Sequence, residues 1–139
     1  MDMGFVFYPD APDEDNALAL RVMLEALIAL DRIFLARYPQ TPSLYKSGVT
    51  YARTKVWDST PDLYARQFGD CKSLSATRVA ELRSAGKDAR PEFRFMLNPQ
   101  TGQKDFHILI RVNGTPEDPS RRLGMVEYHQ RRNLWVFPE

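Results

Sequence analysis

The sequence predicts an α+β domain, with helices first and a small antiparallel sheet after them. Three observations carry this. Apolar residues recur near every 3.6 positions over residues 16–38 and again over residues 71–84. The pattern then changes to alternation over residues 93–97 and 106–112. Asn113-Gly114, a strong two-residue hairpin signal, closes the second alternating run.

The elements follow in order. Residues 1–12 read as a short arm carrying Pro9 and Pro12. Asp13, Glu14 and Asp15 suit a helix start, because carboxylates favour the positive end of the macrodipole. Leu20, Leu24, Leu27, Ile28, Leu30, Phe34 and Leu35 form the apolar arc of that helix. Arg21, Glu25, Asp31 and Arg32 mark its wetter side. The arc is wide: either one broad face lies in the core, or part of it packs on another chain. Pro39 and Pro42 stop the helix. Residues 43–60 read as irregular or short extended structure. A short helix is expected over residues 61–67, with Thr60 as cap and Pro61 in the first turn. Phe68-Gly69-Asp70 ends it, and the helix over 71–84 buries Leu74, Ala76, Val79, Ala80 and Leu82, with Gly86 as its C-terminal stop. Residues 98–103 form a loop, and residues 125–128 and 134–137 are two further candidate strands.

Length and composition bound the function. A chain of 139 residues fits one domain, 1–139, and 43% hydrophobic content supplies a core. Nineteen basic and 18 acidic side chains leave a net charge of +1, which argues for neither a nucleic-acid nor a membrane partner. Arg121-Arg122 and Arg131-Arg132 read as solvated surface. No apolar run reaches the roughly 18 residues of a membrane span. The opening Met-Asp-Met-Gly has no basic region before an apolar stretch, so no secretory leader is expected. A single cysteine, Cys71, forbids an intrachain disulfide and suits a reducing, cytoplasmic setting. Cys71, His107 and His129 lack metal-ligand spacing, and no phosphate-cradling glycine motif occurs, so no metal or cofactor is expected. His129, among basic residues, reads as surface.

The chemistry-bearing residues are Cys71, His107 and Asp118. Gly69-Asp70-Cys71 places the thiol at a helix N-terminus, where unpaired N–H groups and the macrodipole favour thiolate; Lys72 adds a positive charge. Asp70 reads as the helix cap. Gly69 allows a sharp turn. A thiol needs a base and a group to orient that base. His107 alternates with Phe106 and Ile108, so it points away from the apolar face, and the Cys71 helix is expected to cover the side it faces. If the chain turns back at residues 113–115, Asp118 returns beside His107 and holds one imidazole nitrogen.

Gly69-Asp70-Cys71-Lys72-Ser73-Leu74, followed by the stretch from Arg83 to Arg90 with Gly86 and Ala89, resembles the nucleophile segment of transglutaminase-like proteins. Phe106-His107-Ile108 and Asp118-Pro119-Ser120 resemble that family's His and Asp strands. The resemblance spans about residues 57–125 and implies a papain-like core over residues 57–139, with the nucleophile helix packed on a small antiparallel sheet. It implies Cys71 as nucleophile, His107 as base then acid, and Asp118 as orienter. The chain departs from the family in having only ten residues between His107 and Asp118, a tighter connection than many members have. The family often places an aromatic or amide side chain near the oxyanion, and Trp57 and Gln67 are the candidates here. The helical extension over residues 13–38 is similar to the leading helix of small stand-alone prophage-type members.

Two functions are therefore expected. One is thiol-dependent acyl chemistry at an amide of a protein or peptide substrate, as a cysteine protease or hydrolase or by transglutaminase-type transfer. The other is a non-catalytic assembly module of a phage or phage-derived virion using the same fold, with the N-terminal helix as the surface for a protein partner or particle.

Overall fold

The computed structural model describes residues 12–97, 104–126 and 135–136. Helix α1 (Asp13–Arg37) leads through a 3-10 turn (Leu44–Lys46) to β1 (Thr50–Tyr51), α2 (Thr60–Arg66), β2 (Phe68–Gly69) and α3 (Cys71–Ser84). Then come β3 (Ala89–Leu97), β4 (Lys104–Val112), β5 (Thr115–Glu117), α4 (Pro119–Arg122) and β6 (Trp135–Val136). β1 and β2 pair in parallel; the main sheet is antiparallel in the order β5-β4-β3-β6. The architecture is α+β.

Helices α1 and α3 pack on one face of the main sheet. Leu20, Leu24, Leu27 and Ile28 meet Ala76, Val79 and Ala80, and both sets rest on Phe93, Ile108 and Ile110. Each of these side chains is buried, worth about 1.5–3 kcal/mol for the large ones before the entropy of ordering is charged against it. A second cluster of Leu44, Val49, Leu63 and Leu74 fixes the connection between α1 and α3. Arg83 joins α3 to α1 through a two-pronged pair with Glu25, at 2.7 and 3.0 Å.

Several local expectations are corrected. Asp31 is not on the wet side of α1: it is fully buried. Its Oδ1 accepts the Thr60 backbone N–H at 2.7 Å, so a carboxylate from α1 caps the start of α2. Thr60 does not serve as cap; α2 starts at Thr60 after Ser59, and the Thr60 hydroxyl meets that of Thr77 at 2.9 Å. The wide arc is split: Leu20, Leu24, Leu27 and Ile28 enter the core, while Leu30 is 55% exposed. Strand β3 begins at Ala89, well before the alternating run. Pro91, which disguises it, sits where the strand has no described neighbour except β4, because β6 pairs only at Phe95 and Met96. A proline is tolerated on such an edge and blunts it against further pairing. Met125 is buried and donates its N–H to Ser120 O at 2.8 Å, and residues 125 and 126 are not strand; residues 127 and 128 lie outside the described residues. So do the residues of the expected arm before Pro12, those of the expected loop over residues 98–103, and His129.

Candidate active site

The site forms where β5 ends and leaves β4 with no strand beside it on that edge among the described residues, while β3 lines its other edge. Asn113 and Gly114 both have positive φ, 50° and 84°, the geometry of a type I′ turn. That turn pairs Ile110 with Glu117. Asp118 is therefore the first residue past the ladder, brought level with the next stretch of β4. This is how ten intervening residues suffice.

Asp118 is the N-cap of α4. Its Oδ1 accepts the N–H groups of Ser120 and Arg121 at 3.1 and 3.3 Å. Its Oδ2 lies 2.8 Å from Nε2 of His107. The Asp-Pro-Ser order explains the cap: a carboxylate at Ncap, Pro119 at N1 where no N–H is needed, and Ser120 at N2 supplying one. The same cap holds the carboxylate in one orientation toward the imidazole. His107 is buried, with 7% of its surface exposed.

Cys71 is the first residue of α3, and its thiol is buried. The Ile108 backbone N–H is near enough to the sulfur to favour its charged form, and the Asp118 carboxylate acts on it electrostatically in the opposite direction. One turn further along α3, the Ser75 hydroxyl donates to the Ile108 carbonyl at 3.2 Å. Cys71 and Ser75 thus both lie against the backbone of the residue that follows His107. They do so on the side β5 would occupy if it continued.

This docking differs from the expected one. α3 covers the Phe93, Ile108 and Ile110 face, and His107 points to the opposite face. The thiol reaches the His107 region around the open edge of β4 rather than from across the sheet. Periodicity assigns His107 to a face but cannot show that the neighbouring strand ends there.

The electrostatics differ as well. Burial is the largest influence on the thiol, and the Asp70 carboxylate adds to it; the Cys71 pKa is pushed up to about 12. The Ile108 N–H and the Lys72 ammonium pull the other way and do not win. Lys72 is itself buried and paired with the Asp70 carboxylate, which offsets its charge. Its Nζ also donates to Thr54 O at 3.0 Å. The thiol in the closed site is neutral, contrary to what helix position alone suggests. Asp70 is the cap the sequence implied: its Oδ1 accepts the Lys72 N–H at 3.1 Å. Gly69 has no positive φ; a Cβ there would lie 2.6 Å from Leu63 Cδ1, so close packing, not a strained turn, demands glycine.

Trp57 lies beside the first turn of α3, with Lys72 Nζ 5.9 Å from its ring centroid. The chain is strapped there by Ser73 Oγ, which binds the Asp58 N–H at 2.8 Å. Gln67 is not part of this cluster. It is the exposed left-handed cap of α2, and its amide donates to Tyr64 O at 2.7 Å and Ser47 O at 3.4 Å. Sequence reasoning missed Ser75; its spacing of four from Cys71 was the available signal.

Among the described residues, no group of three or more His, Cys, Asp or Glu side chains is arranged to hold a metal ion, and no helix is long and apolar enough to cross a membrane. No family model matches the chain, and neither a curated protein nor a solved structure matches it.

Proposed function

We propose that this protein carries out thiol-dependent acyl chemistry at an amide, with Cys71 as nucleophile, His107 as general base then acid, and Asp118 as the residue that orients and charges the imidazole. The observation that carries the reading is the 2.8 Å contact between His107 Nε2 and Asp118 Oδ2 beside a helix-start cysteine. A carboxylate on Nε2 fixes that nitrogen as the N–H and leaves Nδ1 as the basic one. Because burial keeps the thiol protonated, the proton passes to His107 Nδ1 as sulfur attacks the carbonyl carbon, rather than beforehand. The C–N bond then breaks as the imidazolium returns its proton to the leaving amine, and water or a second amine releases the acyl group. Trp57, next to the helix start, is the remaining oxyanion candidate. We read the fold as a papain-like, transglutaminase-like core in a cytoplasmic setting, particle-associated in the assembly reading.

The test is to incubate the protein with a glutamine-containing peptide library and look for a thioester on Cys71 by intact mass, with and without hydroxylamine. A Cys71 adduct that needs His107 supports the reading, and hydroxamate formation identifies transfer rather than hydrolysis. No adduct in wild type, or an equal adduct in His107→Ala, sinks it. The burial of the thiol favours a second reading, a non-catalytic assembly module on the same fold, and that failure would select it.

A further inference from the structure

Helix α1 buries Leu20, Leu24, Leu27 and Ile28 against the rest of the fold. Its opposite side is also apolar. Leu18 and Val22 are each 62% exposed, Leu30 55% and Ile33 53%. At 100° per residue these side chains share one stripe with Ala26 and Ala29, small residues at its middle. The stripe runs about 22 Å from Leu18 to Ile33. A solvated helix face does not need four large aliphatic side chains in register.

The ends of the stripe identify its occupant. Asp15 lies on the same stripe, one turn before Leu18, and Arg37 lies one turn beyond Ile33. A second copy of α1 laid antiparallel, with the two-fold axis at Ala26, sets Val22 against Leu30 and brings Leu18 within one residue of Ile33 along the axis. The same rotation sets Asp15 against Arg37 at both ends. Apolar, small and charged positions all match under one two-fold operation, which is what an isologous interface requires. A parallel copy would instead put acid against acid and base against base.

We infer that α1 is a homodimerisation helix and that two copies of this chain associate through an antiparallel α1–α1 contact centred on Ala26. One helix face on each side buries on the order of 1,000 Å² in total, the low end for a specific interface. This inference stands independently of the thiol chemistry.

Sedimentation velocity on the full chain, from micromolar to millimolar concentration, tests it. Wild type is expected to move from monomer to dimer, and Val22→Glu to remain monomeric with an unchanged far-ultraviolet spectrum. The charge variants test the geometry. Asp15→Arg and Arg37→Asp are each expected to weaken self-association at least tenfold. A mixture of the two is expected to form the heterodimer, because each end then pairs opposite charges. A wild type that stays monomeric throughout overturns the inference, since something other than a second copy then covers the stripe. So does a dimer that survives Val22→Glu, or a mixture that associates no better than its parts.

Discussion

Asp118 holds two different groups with its two oxygens: Oδ1 takes the first N–H groups of α4, and Oδ2 takes Nε2 of His107 at 2.8 Å. One side chain therefore both starts a helix and fixes an imidazole. Substitutions at Asp118 separate the two roles.

Asp118→Asn keeps an oxygen for the cap and offers an N–H to the imidazole, which favours the wrong tautomer. Thermal stability is expected to stay within about 1 kcal/mol of wild type while thioester formation on Cys71 falls about 10²–10⁴-fold. Asp118→Ala is expected to lose both, with about 0.5–2 kcal/mol from the lost cap. Denaturant melts alongside acylation rates check both variants; an Asn variant with full acylation activity would remove Asp118 from the chemistry.

The closed site predicts the resting reactivity of the thiol. With its pKa pushed up to about 12, mainly by burial, Cys71 should react slowly with iodoacetamide at neutral pH. The logarithm of the rate should climb steadily with pH, with no plateau near neutrality of the kind a preformed thiolate–imidazolium pair gives. A stopped-flow or mass-spectrometric rate profile decides it. A plateau near neutrality would mean that the site opens or that the ion pair forms without substrate.

Asp31 predicts a pH dependence of stability. Burial raises its pKa from 3.8 to about 7, against the opposing hydrogen bonds from Thr60 and Thr77. The folded state thus holds a proton that the unfolded chain gives up near pH 4. The stability from this group is fully present below pH 4, declines as pH rises, and is lost above about 7. Asp31→Asn keeps a neutral group that can accept from Thr60 and meet Thr77. It is expected to flatten that decline and to be more stable than wild type at pH 8 by a few kcal/mol. Urea melts of both proteins at pH 5 and pH 8 measure the difference, and parallel pH profiles would rule the assignment out.

Gly69 predicts a packing defect next to the Cys71 helix start. A Cβ there would meet Leu63 Cδ1, which belongs to a fully buried side chain. Gly69→Ala should cost about 1–3 kcal/mol by overpacking. Adding Leu63→Val, which frees space, should recover part of it. A Gly69→Ala protein as stable as wild type would show that Leu63 moves aside freely.

Much of the fold was readable in the chain because periodicity and punctuation are local. Residues 71–84 repeat at the helical period between an aspartate cap and Gly86, and α3 has those bounds. The Asn113-Gly114 pair announced its hairpin, since both residues accept positive φ. The order Cys71, His107, Asp118 was likewise visible, along with the cap role of Asp70.

Burial and pairing were decided by the tertiary structure. Asp31 reads as a surface residue because a carboxylate is costly to bury; only the approach of the α2 start, with its unpaired N–H at Thr60, makes the burial tolerable. The alternating run marks only residues 93–97; that β3 extends back through Pro91 to Ala89 is set by its pairing with β4, on a stretch that β6 does not reach. The state of Cys71 turned on the same kind of fact. Helix position and Lys72 are properties of the sequence and favour thiolate. The depth of the site and the Asp70–Lys72 pair are properties of the packing, and they reverse that preference. The chain order supplied Cys71, His107 and Asp118; the ending of β5 at Glu117, which leaves that edge of β4 to the start of α3, set where Cys71 lies, because a strand's free edge is set by its neighbours and not by its own residues.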